Sequence, residues 1–305
     1  AAFLAGLAAK IPQFTGIDPE YFYPRNIAFV VFPFLTAYFA WKQQLPIKGV
    51  LIASIAILIS VVYINILPKN INSDTLVLAC IHMPLLLWAI LGFTFSGYEF
   101  GNFQKRLDFL KYNGDLAVIT AVILISGGLL TGITIGLFEL IGISIEEFYF
   151  EYVGIWGLAA IPVVATYLVR TNPHLVNKVS PVIARVFTPL VFVTLFVYLL
   201  AILYTGKDPY NDRDFLLIFN ALLIGVMALI LFSIAETSKN SGNRAGTALL
   251  FGLSLLTIIV NGIALSAIIF RISEWGITPN RLAVLGGNIL MLVNLLLLLL
   301  GTFMD

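Results

Sequence analysis

Arg271-Ile272-Ser273-Glu274-Trp275-Gly276-Ile277-Thr278-Pro279-Asn280-Arg281 joins two apolar runs, Thr247–Ile272 and Leu282–Phe303. Each run is long enough to cross ~30 Å of hydrocarbon as a helix, which takes ~20 residues. Gly276 suits the left-handed residue that ends a helix, and Thr278 with Pro279 suit the N-cap and first position of the next. The spacing predicts a tight turn between two antiparallel membrane helices, with Trp275 at the interface. Charges so close to hydrocarbon are costly and carry structural or functional roles. Arg281 falls in the first turn of the second helix, where the macrodipole is already positive, so it needs a negative partner. Glu274 is the first choice, then a lipid phosphate, then a substrate anion. Arg271, about one turn before its helix ends, faces the negative pole of that helix and can snorkel.

The rest of the chain extends this pattern. Of 305 residues, 60% are hydrophobic and 11% charged, and the mean hydropathy is +1.01. Soluble domains hold roughly 45–50% apolar residues. Nine windows are long and apolar enough to span, near Asn26–Trp41, Ile47–Leu67, Thr75–Ser96, Leu116–Leu137, Val153–Val169, Val182–Tyr204, Phe215–Ile234, Thr247–Ile272 and Leu282–Phe303. They are continuously apolar rather than alternating, so helices are expected and not a barrel. The fold class is an all-α, polytopic integral membrane protein. Residues 26–305 read as a single transmembrane domain. Residues 1–25, with Ala1–Ala9 ahead of Lys10 and no basic n-region, read as an interfacial segment or the remnant of an upstream apolar stretch.

Nine crossings place Lys42, Lys48, Lys105, Arg106, Lys111, Arg170, Lys178, Arg185, Lys239 and Arg244 on one side. Lys10, Arg25, Lys69, Lys207, Arg213, Arg271 and Arg281 fall on the other. Ten against seven puts the C-terminus in the cytoplasm and the hairpin outside. The inner loop Tyr98–Asp115 reads as a solvated connector or as an amphipathic helix. In the second reading Phe103, Leu107, Phe109, Leu110 and Tyr112 face lipid, and Lys105, Arg106 and Lys111 meet head groups.

Composition also excludes several functions. A net charge of +1 offers no nucleic-acid face. One cysteine, Cys80, permits no intrachain disulfide, and with His82 and His174 on separate segments no metal site is expected. No cofactor is implied and no catalytic residue stands out. The chain lacks a phosphate loop, a His-Glu-x-x-His and a Gly-x-Ser-x-Gly. Gly128, Gly132 and Gly136 recur every fourth residue, which reads as a helix-packing face. Glu146, Glu147 and Glu151 with their aromatic neighbours read as an interfacial belt or a cation-attracting vestibule, on the same side as Tyr21–Tyr23. Pro84, Pro162 and Pro189 fall inside spans. Asn220, Asn261, Asn288 and Asn294 are expected to face the bundle interior.

The candidate polar pocket comprises Arg213, Asn220, Arg271, Glu274, Asn280 and Arg281, with Asp212, Asp214, Arg185 and Glu139 in a second rank. Arginines supply charge, asparagines hydrogen bonds and Glu274 a counter-ion. Such a pocket suits a small anionic or lipid-like ligand. A module that senses or scaffolds a membrane-protein partner and an enzyme acting on lipid-linked substrates are the alternatives. Membrane lipids are partners under every reading.

Four blocks carry a resemblance. They are Arg106-Leu-Asp108-Phe109-Leu110-Lys-Tyr112-Asn113-Gly114, Ala184-Arg185-Val-Phe187-Thr188-Pro189-Leu190, Lys207-Asp208-Pro209 with Asp212-Arg213-Asp214 and Asn220, and Glu274 through Arg281. Over roughly residues 100–290 the chain resembles the bacterial membrane-protein family designated DUF4153, with Trp275 where tyrosine is at least as common. The resemblance implies a multi-pass protein of a bacterial cytoplasmic membrane and no particular reaction.

Overall fold

The computed structural model describes residues 1–68, 73–99, 101–171, 179–206, 213–237 and 244–304. Among them every regular element is helical. In chain order the helices are α1 (Ala2–Ala9), α2 (Ile11–Thr15), α3 (Pro19–Asn26), α4 (Phe32–Lys42), α5 (Ile47–Ile66), α6 (Asp74–Phe95) and α7 (Phe103–Leu140). They continue with α8 (Glu146–Phe148), α9 (Ile155–Thr171), α10 (Val179–Thr205), α11 (Arg213–Thr237), α12 (Arg244–Trp275) and α13 (Pro279–Met304). Eight helical stretches are long and apolar enough to cross a membrane: α5, α6, α7, Glu146–Thr171, α10, Phe215–Ala235 within α11, α12 and Pro279–Gly301 within α13. This is a multi-pass integral membrane protein. The residues group into two compact units, 1–121 with 148–176, and 122–147 with 177–305, where the sequence suggests one transmembrane domain.

In the first unit, the window expected at Asn26–Trp41 is not one helix. It is α3, a 3₁₀ turn (Ile27–Val30) and α4 in succession. Pro24 lies inside α3, and Pro33 opens α4; neither proline can donate a backbone hydrogen bond, so a regular helix is not sustained. The broken segment still runs the height of α5. Arg25 at its start bonds the carbonyls of Leu67 and Pro68 beyond the end of α5, while Gln43 at its close donates to the carbonyl of Phe95 at the end of α6.

Residues 1–25 are built into this unit. Ala5 and Ala9 pack with Val30 and Ala159 in one buried cluster. Gly6 lets α1 approach α9, since a Cβ there would stand 2.7 Å from Cζ3 and 2.8 Å from Cδ2 of Trp156. Gly6→Leu is therefore expected to lift α1 off α9, at about 1–3 kcal/mol for the overpacking. Tryptic cleavage after the otherwise buried Lys10 would report it; unchanged protection would show that the Trp156 ring simply moves aside.

Residues 103–115 of the expected loop and the fourth span form one helix, α7, of 38 residues. The turn signal Asn113-Gly114-Asp115 is overridden because the Asn113 amide donates back to the carbonyl of Phe109 and its oxygen accepts the Trp88 indole N–H at 2.9 Å. Phe109 and Tyr112 face protein, not lipid. With Phe39 and Phe95 they make a buried aromatic cluster, and the Tyr112 hydroxyl pairs with Thr166 at 2.8 Å. Phe103, Leu107 and Leu110 stay exposed.

The second unit packs α10, α11, α12 and α13 in sequence, with α10 also against α12. Thr188 and Ser233 link α10 to α11 at 2.8 Å. The glycine stripe serves close packing only at Gly136, where a Cβ would meet Ile218 at 3.2 Å; nothing lies within 4 Å of one at Gly128 or Gly132. The breaks at Asn172-Pro173, Asp208–Asn211 and Asn240–Asn243 lie outside the described residues.

Candidate functional site

The α12–α13 hairpin takes the shape its sequence predicts. Gly276 adopts φ 75°, with its N–H on the carbonyl of Ile272 at 2.9 Å. The Thr278 hydroxyl accepts the N–H of Arg281 at 3.3 Å, capping α13. Beneath the turn Leu216, Ala267 and Ile268 form a buried cluster, with Val284 and Leu285 against it.

The partner of Arg281 differs from the expected one. Its Nη1 donates to the carbonyls of Trp275 at 2.9 Å and Gly276 at 2.6 Å. These are end carbonyls of α12, the negative pole of that helix, so the charge is met by backbone dipole and not by a carboxylate. Glu274 is exposed and takes part in no ion pair within 4.0 Å among the described residues. Arg271 and Arg281 both approach the Trp275 ring, with guanidinium carbons 5.3 Å and 6.0 Å from its centre. The Nε of Arg271 is buried with no hydrogen-bond partner in the protein.

The other pocket candidates do not converge on this pair. Asn220 donates to the carbonyl of Leu216 on its own helix, and Asn280 is exposed. Arg185 and Glu139 are exposed on α10 and α7. Asp212, and the side chains of Arg213 and Asp214, lie outside the described residues. Of the four span asparagines, Asn261 and Asn288 are fully buried, Asn220 is half-buried and Asn294 faces outward. Among the described residues no three His, Cys, Asp or Glu side chains converge as a metal site.

Two charges that sequence reasoning passed over are more deeply buried than any in the hairpin. Lys10, 2% exposed, bonds Gln13, lies 3.8 Å from Glu151 and sits 4.2 Å from the centre of the Tyr152 ring. Gln13 bonds Glu151 at 2.7 Å. Glu151 belongs to a π-type segment (Tyr149–Gly154) that leads into α9. Tyr23 donates to the carbonyl of Ala9, so Tyr21–Tyr23 and the Phe148–Tyr152 part of the belt share an end of the unit. Arg25, 5% exposed, holds three carbonyls and the face of Tyr21 at 4.0 Å, with no carboxylate within ion-pair distance among the described residues. No local pattern could reveal either: Glu151 is 141 residues from Lys10, and Arg25 reads as an ordinary flanking charge.

At the opposite end of that unit Lys105 pairs with Glu99 at 3.0 Å. Hydrogen bonds from Lys105 and Asn102 hold the Glu99 carboxyl below the usual carboxylate range. Comparison with known proteins finds no matching family model, no matching curated protein and no matching solved structure.

Proposed function

We propose that this membrane protein binds an anionic group, a lipid phosphate or a solute of the same chemistry, at the α12–α13 hairpin. The observation that carries the reading is a pair of guanidinium groups on one interfacial tryptophan with no carboxylate paired to either among the described residues. Arg281 is occupied in capping α12, which leaves the planar fork of Arg271 as the anion-binding group. Exposed Trp275, Ile277 and Leu282 suit the head-group level of a bilayer. The charge bias supports a location of this surface outside a bacterial cytoplasmic membrane with the C-terminus inside, and membership of DUF4153 belongs to the same proposal.

A local readout tests it. Hydrogen exchange of the amides from Gly276 to Leu282 is compared in nanodiscs of phosphatidylglycerol and of phosphatidylcholine. Charge-assisted bonding of ~1.4 kcal/mol or more should slow exchange roughly tenfold in the anionic lipid. Arg271→Gln should abolish the difference. Slowing by inorganic phosphate alone would assign a free anion rather than a lipid. Equal exchange of parent and variant in both lipids would overturn the reading.

A further inference from the structure

A groove in the first unit runs between α4 and α5, with a volume of about 1130 Å³. That reaches the upper end of the roughly 300–1,000 Å³ usual for ligand clefts. It exists because α4, short and displaced by the broken segment before it, packs mainly on α6 and leaves its α5 side open. Chemistry is graded along it. Tyr38, Trp41, Lys42 and Gln44 line one end, while Ala37, Ala53, Ile57 and Leu58 line the apolar length. From Val50 to Leu58 the wall extends over eight helical steps of α5, about 12 Å at the helical rise. Half of a ~30 Å hydrocarbon layer is about 15 Å, so the groove is one leaflet deep.

Two observations make it more than a lipid-facing crevice. Lys42 donates to Tyr38 Oη at 3.3 Å and lies in no ion pair among the described residues, and no acidic side chain lines the groove. Thr36 also lines it, 4% exposed, and its hydroxyl is buried without a hydrogen-bond partner. Elsewhere in the spans threonine returns its hydroxyl to its own helix, as at Thr134, Thr166 and Thr257. A donor left over at this depth, about 9 Å along the helix from Lys42, is unusual in hydrocarbon, where an unmatched polar group costs about 1–3 kcal/mol.

We infer that this groove holds one anionic phospholipid of the surrounding bilayer. Its phosphate sits at Lys42, its ester region runs toward Thr36, and one acyl chain lies along Ala53, Ile57 and Leu58. Basic pockets between membrane helices recognise lipid head groups in this way. The chain-binding depth separates this site from the hairpin, where only a head group is engaged.

The test counts retained lipid. The full chain is extracted in neutral detergent from membranes containing phosphatidylglycerol and phosphatidylcholine, and bound lipid is counted by native mass spectrometry. The parent should keep one phosphatidylglycerol per chain, enriched at least tenfold over phosphatidylcholine. Ala37→Trp, at an exposed wall position, fills the groove and should remove it. Lys42→Glu should remove the preference for anionic lipid. Arg271→Gln should leave retention intact, so this result and the hairpin's are read separately. Both groove variants should remain monodisperse, since neither residue is in a buried cluster. Retention unchanged in both variants, or equal retention of the two lipids by the parent, would overturn the assignment.

Discussion

Arg25→Met is expected to destabilise the first unit by about 2–4 kcal/mol, counting two charge-assisted hydrogen bonds less the hydration available to carbonyls near an interface. The Arg25 guanidinium reaches the carbonyl of Pro68 at 3.0 Å and that of Leu67 at 3.4 Å, tying α3 to the end of α5. Those carbonyls lie just beyond the C-terminal end of α5, and the face of Tyr21 also contacts the charge. Methionine keeps most of the apolar stem, so the loss isolates the charged head from its packing. Arg25→Lys should recover less than half, because an ammonium is a point charge and cannot fork to two carbonyls. Unfolding in mixed detergent, followed by helicity, measures both. No loss in Arg25→Met would mean that the buried charge is strained and the helix end needs no cap.

Arg25 and Arg281 are the same device at two places: an arginine closing the end of a neighbouring helix through backbone carbonyls. Sequence reasoning reached the need at Arg281, because the macrodipole argument showed that a negative partner was required. It then chose a carboxylate, since charges are visible in a sequence and free carbonyls are not. The spans were legible for a simpler reason: a run of about twenty apolar residues has few places to go. The first span was misjudged where Pro24 and Pro33 break the helix, a signal that was present. Asn113-Gly114-Asp115 misled in the other direction. Its turn chemistry lost to a tertiary bond from Trp88, and local pattern carries no trace of that partner. The groove at Thr36 was equally hidden, because an unmatched hydroxyl becomes evident only when the neighbours that fail to meet it are in place.

Asn261 and Asn288 lead to the expectation that runs against intuition. The double substitution Asn261→Leu with Asn288→Leu is expected to stabilise the second unit by about 2–4 kcal/mol. Both residues are fully buried where α12 meets α13, yet only one bond joins them, from Asn261 Nδ2 to the backbone carbonyl of Asn288 at 3.2 Å. Asn261 Oδ1 and both polar atoms of the Asn288 amide have no partner in the protein. Each such atom costs about 1–3 kcal/mol, and leucine has a similar outline without the polar atoms. Overpacking by the larger side chains offsets part of the gain, by about 1–3 kcal/mol. Asn294→Leu, on the outward face of the same helix, serves as a control, since its amide is already bonded to the carbonyl of Leu290. Thermal unfolding of the parent and the two variants decides the matter. A double variant less stable than the parent would mean that the amides are matched in the membrane by bound water or a polar guest. The α12–α13 seam would then be a hydrated site in its own right, because overpacking of about 1–3 kcal/mol is smaller than the combined cost of three unmatched polar atoms at about 1–3 kcal/mol each.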